Sequence, residues 1–314
     1  MTHDLERLED SRLMFAVLCV LAVALPACRE SPSGQAAGAS FRDCVDCPTM
    51  MVVPAGQFLM GSPLSEAGRF EDEGPQHTVT LARPFAVSQT PITRAQYELF
   101  VRTTQRSDAS ACASMSADGR WISTSGLTWR NPGFDQAADH PVVCVSWEDA
   151  RAFAEWLSAR SGKTYRLLSE AEFEYVARAG AMTAFPWGAS ENNICAHANS
   201  FDLTAGRAHP DWPAAACDDG YLHTAPVQRF PANAFGIYGA TGNVFQWTED
   251  CMVEGGYTNA PTDGSARTME GCTVRVIRGG SWLNSGRGLR AAMRDRDRQQ
   301  DRYTNLGFRV ARTL

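Results

Sequence analysis

Two short motifs, Arg278-Gly-Gly-Ser-Trp282 and Asn305-Leu-Gly-Phe-Arg309, bracket the last part of the chain. A core strand or helix would place apolar residues at every second position, or at every third and fourth. The segment between the motifs lacks that periodicity and carries arginines at positions 287, 290, 294, 296, 298 and 302. The apolar residues that could face inward are Leu289, Ala291, Ala292 and Met293. We therefore expect a surface that is carried on a scaffold.

The length and charge of the chain narrow its class. With 314 residues it can bury a large core, and the lack of internal repeats favours one domain over residues 41–314. The net charge of -6 argues against nucleic-acid binding, which needs a basic face to neutralise phosphates. We expect a monomer.

Residues 1–28 have the pattern of a signal peptide. Arg7 and Arg12 precede an apolar run at residues 13–25, which is too short to span a bilayer. The run ends in Leu25-Pro-Ala-Cys28, which resembles the bacterial lipobox, so Cys28 would carry a lipid. An ordinary secretory signal cleaved nearby is the alternative. Residues 29–40 are small and polar and would form a flexible tether.

These features predict an exported bacterial lipoprotein of the cell envelope, in the periplasm or on the outer-membrane surface, attached to the membrane by its lipid alone. Disulfides persist outside the cytosol. The cysteines that remain after Cys28 are Cys44, Cys47, Cys112, Cys144, Cys195, Cys217, Cys251 and Cys272. Their even number predicts a disulfide-stapled domain. Eight cysteines allow 105 pairings, of which pairing between sequence neighbours is the simplest.

Regular structure is predicted mainly in the first half. Residues 51–61 are typical of a strand broken by a turn, with residues 78–87 as its partner. Three capping boxes, each a Ser or Thr with an acid or amide three residues later, predict helices after Thr93, Ser146 and Ser169. Residues 181–280 are irregular, with short strands expected near residues 224–230 and 274–278. An irregular region this long needs staples.

Seven motifs occur in an order that resembles the formylglycine-generating enzyme, or sulfatase-modifying factor, family. Besides the two C-terminal motifs they are Asp139-His-Pro-Val142, Val145-Ser-Trp147, Arg166-Leu-Leu-Ser-Glu-Ala-Glu-Phe-Glu-Tyr175, Phe185-Pro-Trp-Gly188 and Gly242-Asn-Val-Phe-Gln-Trp247. The resemblance covers nearly the whole chain after the signal peptide. It implies a single α+β domain of the C-type-lectin-like kind, low in regular secondary structure and often stabilised by calcium.

The resemblance does not carry over the family's redox chemistry. Its best-known members oxidise a substrate cysteine with copper held by two thiolates, the ligands that Cu(I) prefers. Counting back from the last motif places those cysteines near Gly286 and Ala291, so copper is not expected. A related branch uses histidine-held iron. The histidines here show no helical pairing, so iron is not expected either.

The resemblance implies one calcium site. Asn199 with the Ser200 carbonyl, and Asp219 with the Tyr221 carbonyl, match calcium ligands of the family, and hard oxygen donors suit this ion. They could instead be ordinary turn residues. The family's second calcium loop corresponds to residues 239–246. Its two side-chain ligand positions are Gly239 and Gln246, which should weaken that site severely.

We therefore weigh two functions. The first is a non-catalytic lipoprotein that binds a ligand or an envelope partner through its C-terminal segment, as do the variable proteins of diversity-generating retroelements. The binding residues would be Trp282, Leu283, Ser285, Gly288, Arg290, Met293, Arg294, Asp295, Asp297, Tyr303 and Thr304. The second is a copper-independent oxidoreductase or maturation enzyme that acts on a protein or siderophore precursor, with Arg290 and Arg294 available to an anionic substrate. A structural accessory role in an envelope complex is a third interpretation.

Overall fold

The computed structural model describes residues 36–314, which mix helices and strands as expected. The helices are α1 (Arg94–Thr104), α2 (Trp147–Ser161), α3 (Glu170–Arg178), α4 (Ile194–His197) and α5 (Leu203–Ala208). The strands of the first half are β1 (Ser40–Phe41), β2 (Met50–Val53), β3 (Gly56–Met60), β4 (His77–Leu81), β5 (Phe85–Ser88), β6 (Ala111–Met115), β7 (Trp121–Ser125) and β8 (Tyr165–Arg166). The remaining strands are β9 (Phe245–Cys251), β10 (Val274–Arg278), β11 (Arg294–Arg298), β12 (Leu306–Phe308) and β13 (Ala311–Thr313).

Two larger sheets and two hairpins organise these strands. The five-stranded sheet has the order β1-β2-β5-β13-β8, so the last strand of the chain lies between β5 and β8. The four-stranded sheet has the order β11-β10-β9-β12, and β3-β4 and β6-β7 form the hairpins. The C-terminal segment, taken as residues 278–314, therefore supplies β11 and β12 to one sheet and β13 to the other.

The predicted helix starts are confirmed. Thr93, Ser146 and Ser169 each cap a helix, and in every case the side chain three residues later bonds back to the cap backbone. Each cap contributes about 1 kcal/mol by satisfying backbone N–H groups that lack helical partners. Gly162 ends α2 in the left-handed conformation, and after α3 both Ala179 and Gly180 have positive φ angles, of 44° and 92°.

The broken strand of residues 51–61 is also confirmed. It corresponds to β2 and β3, which are interrupted at Pro54 and Ala55, and its partner corresponds to β4 and β5. β2 pairs with β5 while β3 pairs with β4, both antiparallel. The break therefore sends one predicted strand into two different sheets.

The prediction of a strand near residues 224–230 is wrong. The backbone of Ala225 hydrogen-bonds to the Asn243 side chain, and Val227 N donates to Asp139 O at 3.0 Å. The backbone hydrogen bonds of this segment are therefore made with loops and not with a neighbouring strand. The sequence analysis missed β9, of which six of seven residues are buried. A strand buried on both faces shows no alternation of polar and apolar residues, which removes the usual signal.

The four disulfides among residues 36–314 each join two cysteines that are consecutive in the sequence. The pairs are Cys44–Cys47, Cys112–Cys144, Cys195–Cys217 and Cys251–Cys272. Cys195–Cys217 and Cys251–Cys272 lie within the irregular region of residues 181–280 and supply the staples that it was expected to need.

The N-terminal predictions fall largely outside the described residues. The signal peptide, Cys28 and most of the predicted tether belong to residues 1–35. Hydrogen bonding to the domain begins before residue 41, because Gly38 N donates to Val52 O at 2.9 Å and Ser40 pairs with Met51. None of the helices within residues 36–314 has the length and apolar character needed to cross a membrane.

Candidate functional site

The arginines of the C-terminal segment (residues 278–314) divide between the interior and the surface. Buried ones include Arg278, Arg290 and Arg294, and exposed ones are Arg287, Arg296 and Arg298. Arg278 has no exposed area, and its guanidinium donates to Glu174 Oε2 at 2.5 Å and to the carbonyl oxygens of Ala291 and Ala292 at 3.1 and 2.8 Å. A buried guanidinium has to be paired and hydrogen-bonded, because leaving its charge unsatisfied costs several kcal/mol. This pairing anchors the first bracketing motif to α3.

Arg290 and Arg294 are also committed to internal ion pairs. Arg290 donates to Glu66 Oε1 at 2.8 Å and forms a two-pronged pair with Glu73, which is fully buried. Arg294 holds both carboxylate oxygens of Glu170 at 2.8 and 2.7 Å. The structure thus corrects the expectation that these two arginines are available to an anionic substrate.

The acidic loop of residues 62–76 supplies the carboxylates that pair with Arg290. Burial acts to raise the pKa of Glu73, but hydrogen bonds from Arg290 and Ser62 hold it below its usual range. Glu73 is therefore ionised, and the pair is a clamp between this loop and the C-terminal segment.

The other predicted binding residues differ in their exposure. Buried ones are Trp282, Met293 and Thr304; partly buried ones are Leu283, Ser285, Gly288, Asp297 and Tyr303; Asp295 is exposed. Tyr303 packs against the β6-β7 hairpin, with its ring 4.8 Å from that of Trp121. Burial raises the pKa of Asp297 to about 7, and the charges of Asp295 and Asp301 act in the same direction.

Trp282 belongs to an aromatic cluster at the start of the segment. His223 stacks on Phe134 with ring centroids 4.2 Å apart, and Trp282 meets His223 edge-on at 4.9 Å. Trp282 Nε1 is buried without a hydrogen-bond partner among residues 36–314. Asn305 Nδ2 donates to Ser281 Oγ at 2.9 Å, so the two motifs that bracket the segment touch directly.

A cleft of about 640 Å³ opens beside Gly286 and is called the Gly286 cleft below. Its lining includes Glu66, Met182, Phe185, Glu191, Arg287 and Arg290. Gly286 lies in the cleft wall, whereas Ala291 is buried behind it and donates its N–H to Ala184 O at 2.7 Å. A Cβ atom on Gly286 would lie 1.5 Å from Glu191 Oε2, so a carboxylate occupies the space of a side chain.

The residues predicted to bind calcium lie on two segments that hydrogen-bond to each other in a mostly buried pocket, where Tyr221 keeps some exposure. Asn199 Oδ1 is buried and has no partner in the described part of the chain. Asp219 accepts hydrogen bonds from Ser200 N at 2.8 Å and Tyr221 N at 2.9 Å. Burial raises the pKa of Asp219 to about 7, because its charge has no positive partner.

Asp202 joins this pocket and was not predicted. Its Oδ2 accepts the Asp219 N–H at 2.5 Å, and its Oδ1 caps α5. Cys195, Asp202 and Asp219 lie close enough to share an ion, but the Cys195 sulfur is committed to its disulfide. Two carboxylates and an orphaned amide oxygen form a donor set that fits Ca²⁺. The only sequence signal for Asp202 was its capping position before Leu203.

The second family calcium loop does not fit the ion. Gln246 Nε2 and Arg309 Nη2 both donate to Gly239 O at 2.8 Å, and Arg309 Nε donates to Gln246 Oε1 at 2.5 Å. A fully buried guanidinium thus uses the oxygen atoms of this loop. Burial lowers the pKa of Arg309 to about 9, because no carboxylate faces it.

Comparisons with known proteins agree with this architecture. The family model for the sulfatase-modifying factor enzyme 1-like domain matches residues 36–314. Formylglycine-generating enzyme of Streptomyces coelicolor is 33% identical over 82% of this chain and 87% of its own length. Inactive Cα-formylglycine-generating enzyme 2 of Bos taurus is 32% identical over 83% of this chain and 87% of its own length. The structure of PvdO from Pseudomonas aeruginosa superposes with a TM-score of 0.76 and 39% identity, covering 89% of this chain and 99% of PvdO.

Proposed function

The chain belongs to the sulfatase-modifying factor enzyme 1-like family, and from that premise we propose that it is a ligand-binding member without copper chemistry. The proposed site is the Gly286 cleft, together with the exposed and partly buried residues that follow it. The carrying observation is the Glu191 carboxylate against Gly286, where the resemblance puts a copper thiolate.

The state of the cysteines supports this proposal. Each of the eight cysteines from Cys44 to Cys272 forms a disulfide, so residues 36–314 offer no free thiolate. Thiolates are the ligands through which the family's copper site would form. A mammalian relative of similar identity carries the name inactive, which is consistent with a family member that has kept the fold without the oxidation.

Export and lipid attachment remain part of the proposal. Four disulfides in one domain support an oxidising compartment. Lipidation of Cys28 would place the domain at the membrane of the cell envelope, and mass spectrometry of the purified protein for a diacylglyceryl group tests it. Calcium at Asn199, Asp219 and the Ser200 and Tyr221 carbonyls is proposed as a structural ion.

Retroelement diversification is proposed only for residues that a ligand can reach. Met293 and Thr304 are buried, so variation there would change packing rather than recognition. Leu283, Ser285, Gly288, Asp295, Asp297 and Tyr303 keep some exposure. A template repeat and a reverse-transcriptase gene beside the coding sequence would support diversification, and a neighbourhood without either would rule it out.

Blocking the cleft tests the binding function. The full-length protein, Ala189→Trp and Ala82→Trp are used to capture ligands from envelope extract of the producing bacterium. Ala189 lines the cleft, whereas Ala82 is exposed elsewhere. We expect Ala189→Trp to lose a ligand that the wild type and Ala82→Trp retain. Equal capture by all three proteins would contradict the proposal.

The copper-independent enzyme is the second candidate, and the enzyme name of a relative at 33% identity favours it. Its substrate would be a protein or siderophore precursor bound in the same cleft. Incubating the protein with thiol and phenol substrates, with and without added copper or iron, distinguishes the two functions. Turnover that Ala189→Trp abolishes would establish the enzyme and overturn the non-catalytic proposal.

A further inference from the structure

Two oppositely charged side chains line the Gly286 cleft without neutralising each other. Arg287 and Glu191 are both exposed, and neither has a salt-bridge partner within residues 36–314. The other two charged side chains of the lining, Arg290 and Glu66, pair with each other, and Arg290 also pairs with the buried Glu73. The cleft therefore offers one free cation and one free anion to a ligand.

Arg287 is held ready for a carboxylate. Its guanidinium lies 3.8 Å from the centre of the Phe70 ring, and its Nε donates to Gly68 O at 2.9 Å. These contacts fix the plane of the group while leaving its two terminal nitrogens free. A planar pair of N–H donors matches the two oxygens of a carboxylate, and fixing it beforehand lowers the entropy cost of binding.

Glu191 is seated by the missing side chain of Gly286. Its Oε2 atom would lie 1.5 Å from a Cβ atom on Gly286, and its own Cβ would lie 2.9 Å away. Any larger residue at position 286 would displace the carboxylate from the wall. This position of the Glu191 carboxylate therefore requires glycine at residue 286 for space and not for its backbone conformation.

The rest of the lining suits an apolar body. Pro63, Met182, Ala184 and Phe185 contribute to the wall, and the volume of about 640 Å³ lies within the range of small-molecule sites. An apolar wall with a few placed polar groups is the usual composition of such sites.

We propose that the Gly286 cleft recognises a zwitterionic, amino-acid-like group on an apolar body, with Arg287 binding its carboxylate and Glu191 its ammonium group. The proposal rests on the proposed function, because it names the ligand chemistry of the same cleft. Free amino acids carry both groups, whereas either end of a peptide carries only one of them.

Three probes separate the two charges: leucine carries both, leucinamide only the ammonium group, and N-acetylleucine only the carboxylate. Their affinities for the full-length protein in detergent are measured by calorimetry. We expect Glu191→Gln to lower the affinity for leucine and leucinamide about tenfold and to leave the affinity for N-acetylleucine unchanged. A tenfold change corresponds to one lost charged contact of about 1.4 kcal/mol. Arg287→Gln should weaken leucine and N-acetylleucine and spare leucinamide.

Gly286→Ala keeps every charge and should reproduce the effect of Glu191→Gln. Glu254→Gln and Arg83→Gln, which change exposed charges outside the proposed site, should bind like the wild type. The proposal is overturned if leucine does not bind, or if neither Glu191→Gln nor Arg287→Gln changes the affinity for leucine. If leucine fails to bind while Ala189→Trp still abolishes capture from extract, the ligand chemistry is wrong and the binding function stands. If leucine binds as described but Ala189→Trp captures the same ligands from extract as the wild type, the proposal that the cleft binds an envelope partner is wrong.

Discussion

Arg278 and Arg309 are both fully buried, yet the chain satisfies them differently. Arg278 faces the carboxylate of Glu174, whereas Arg309 meets only carbonyl and amide oxygens. Neutral acceptors satisfy hydrogen bonds but do not compensate a buried charge. This difference explains why burial lowers the pKa of Arg309 to about 9.

Giving Arg309 a counter-charge should stabilise the protein. We expect Gln246→Glu to raise the free energy of unfolding at pH 7 by about 1–3 kcal/mol, because an ion pair with Arg309 replaces a bond to a neutral amide and outweighs the lost bond from Nε2 to Gly239 O. Urea unfolding measures the change. Gln246→Met, which removes the acceptor, should destabilise. A Gln246→Glu protein no more stable than the wild type would contradict this account.

The orphaned oxygen of Asn199 predicts stabilisation by calcium. At a concentration 100 times the dissociation constant, calcium should add about 2.7 kcal/mol to the free energy of unfolding. That corresponds to a rise of several degrees in Tm over the protein in EDTA, since about 1 kcal/mol shifts Tm by roughly 2–4 °C at this size. Asn199→Ala and Asp219→Ala should abolish the rise.

Asp218→Asn is the matched control for calcium. Asp218 neighbours Asp219 but is exposed and paired with Thr204 and Arg207. Its variant should keep the calcium-dependent rise in Tm. An equal response to EDTA in the wild type and in Asn199→Ala would rule out a structural ion at this place.

At the scale of elements, α3 distributes negative charge to the rest of the domain. Its glutamates point to different arginines: Glu170 to Arg294, Glu172 to Arg166, and Glu174 to Arg178 and Arg278. All nine residues of the helix are buried. A buried helix with three acids is stable because its own Arg178 and arginines from β8, β10 and β11 neutralise them, which ties β10 and β11 to its position.

The N-terminus of α3 should make stability depend on pH. Asp250 accepts the N–H groups of Glu170 at 2.6 Å and Arg267 at 2.8 Å. Burial, together with the charge of Glu170, raises the pKa of Asp250 to about 7, although Arg294 acts in the opposite direction. An aspartate in the unfolded chain titrates near 3.9. The contribution of Asp250 to the free energy of unfolding is therefore fully present below about pH 4 and is lost as the pH rises to about 7.

We expect Asp250→Asn to reduce the fall in unfolding free energy between pH 4 and 7 by on the order of 2–4 kcal/mol. Urea unfolding at several pH values measures this slope. The asparagine also loses one of two acceptor bonds, so the informative quantity is the slope and not the stability at one pH. Asp211→Asn, at an exposed position, should keep the wild-type slope. An unchanged slope in Asp250→Asn would contradict the assignment.

At the scale of the whole molecule, the chain ends hold the domain together. The last strand, β13, lies between β5 and β8, and the N-terminal β1 and β2 extend the same sheet. The irregular region of residues 181–280 lacks such pairing over most of its length, so two disulfides limit its freedom.

Removing these disulfides should have unequal effects. Cys195–Cys217 closes a sequence separation of 22 residues and Cys44–Cys47 one of 3. Loop-closure entropy predicts a loss of about 3 kcal/mol for the Cys195→Ser/Cys217→Ser variant and roughly half of that for Cys44→Ser/Cys47→Ser. The first variant should also bind calcium more weakly, because its bridge joins the segments that carry Asn199 and Asp219. Equal calcium affinity in both double variants would argue against this coupling.

The sequence by itself determined the family, the α+β fold class and the helix starts. Ordered motifs and capping boxes are local, so spacing alone reveals them. Neighbour pairing of the cysteines was the simplest choice and is confirmed, although sequence order could not exclude the other pairings.

Only the tertiary structure decided what the arginines of the C-terminal segment do. Arg290 meets Glu73 across 217 positions and Arg294 meets Glu170 across 124. A charged residue looks the same in sequence whether water or a distant carboxylate surrounds it, so Arg290 and Arg294 were misread as surface residues. The same reason explains why the sequence did not predict β9, Asp202 or the contact between Glu191 and Gly286. Each depends on residues that meet only after folding.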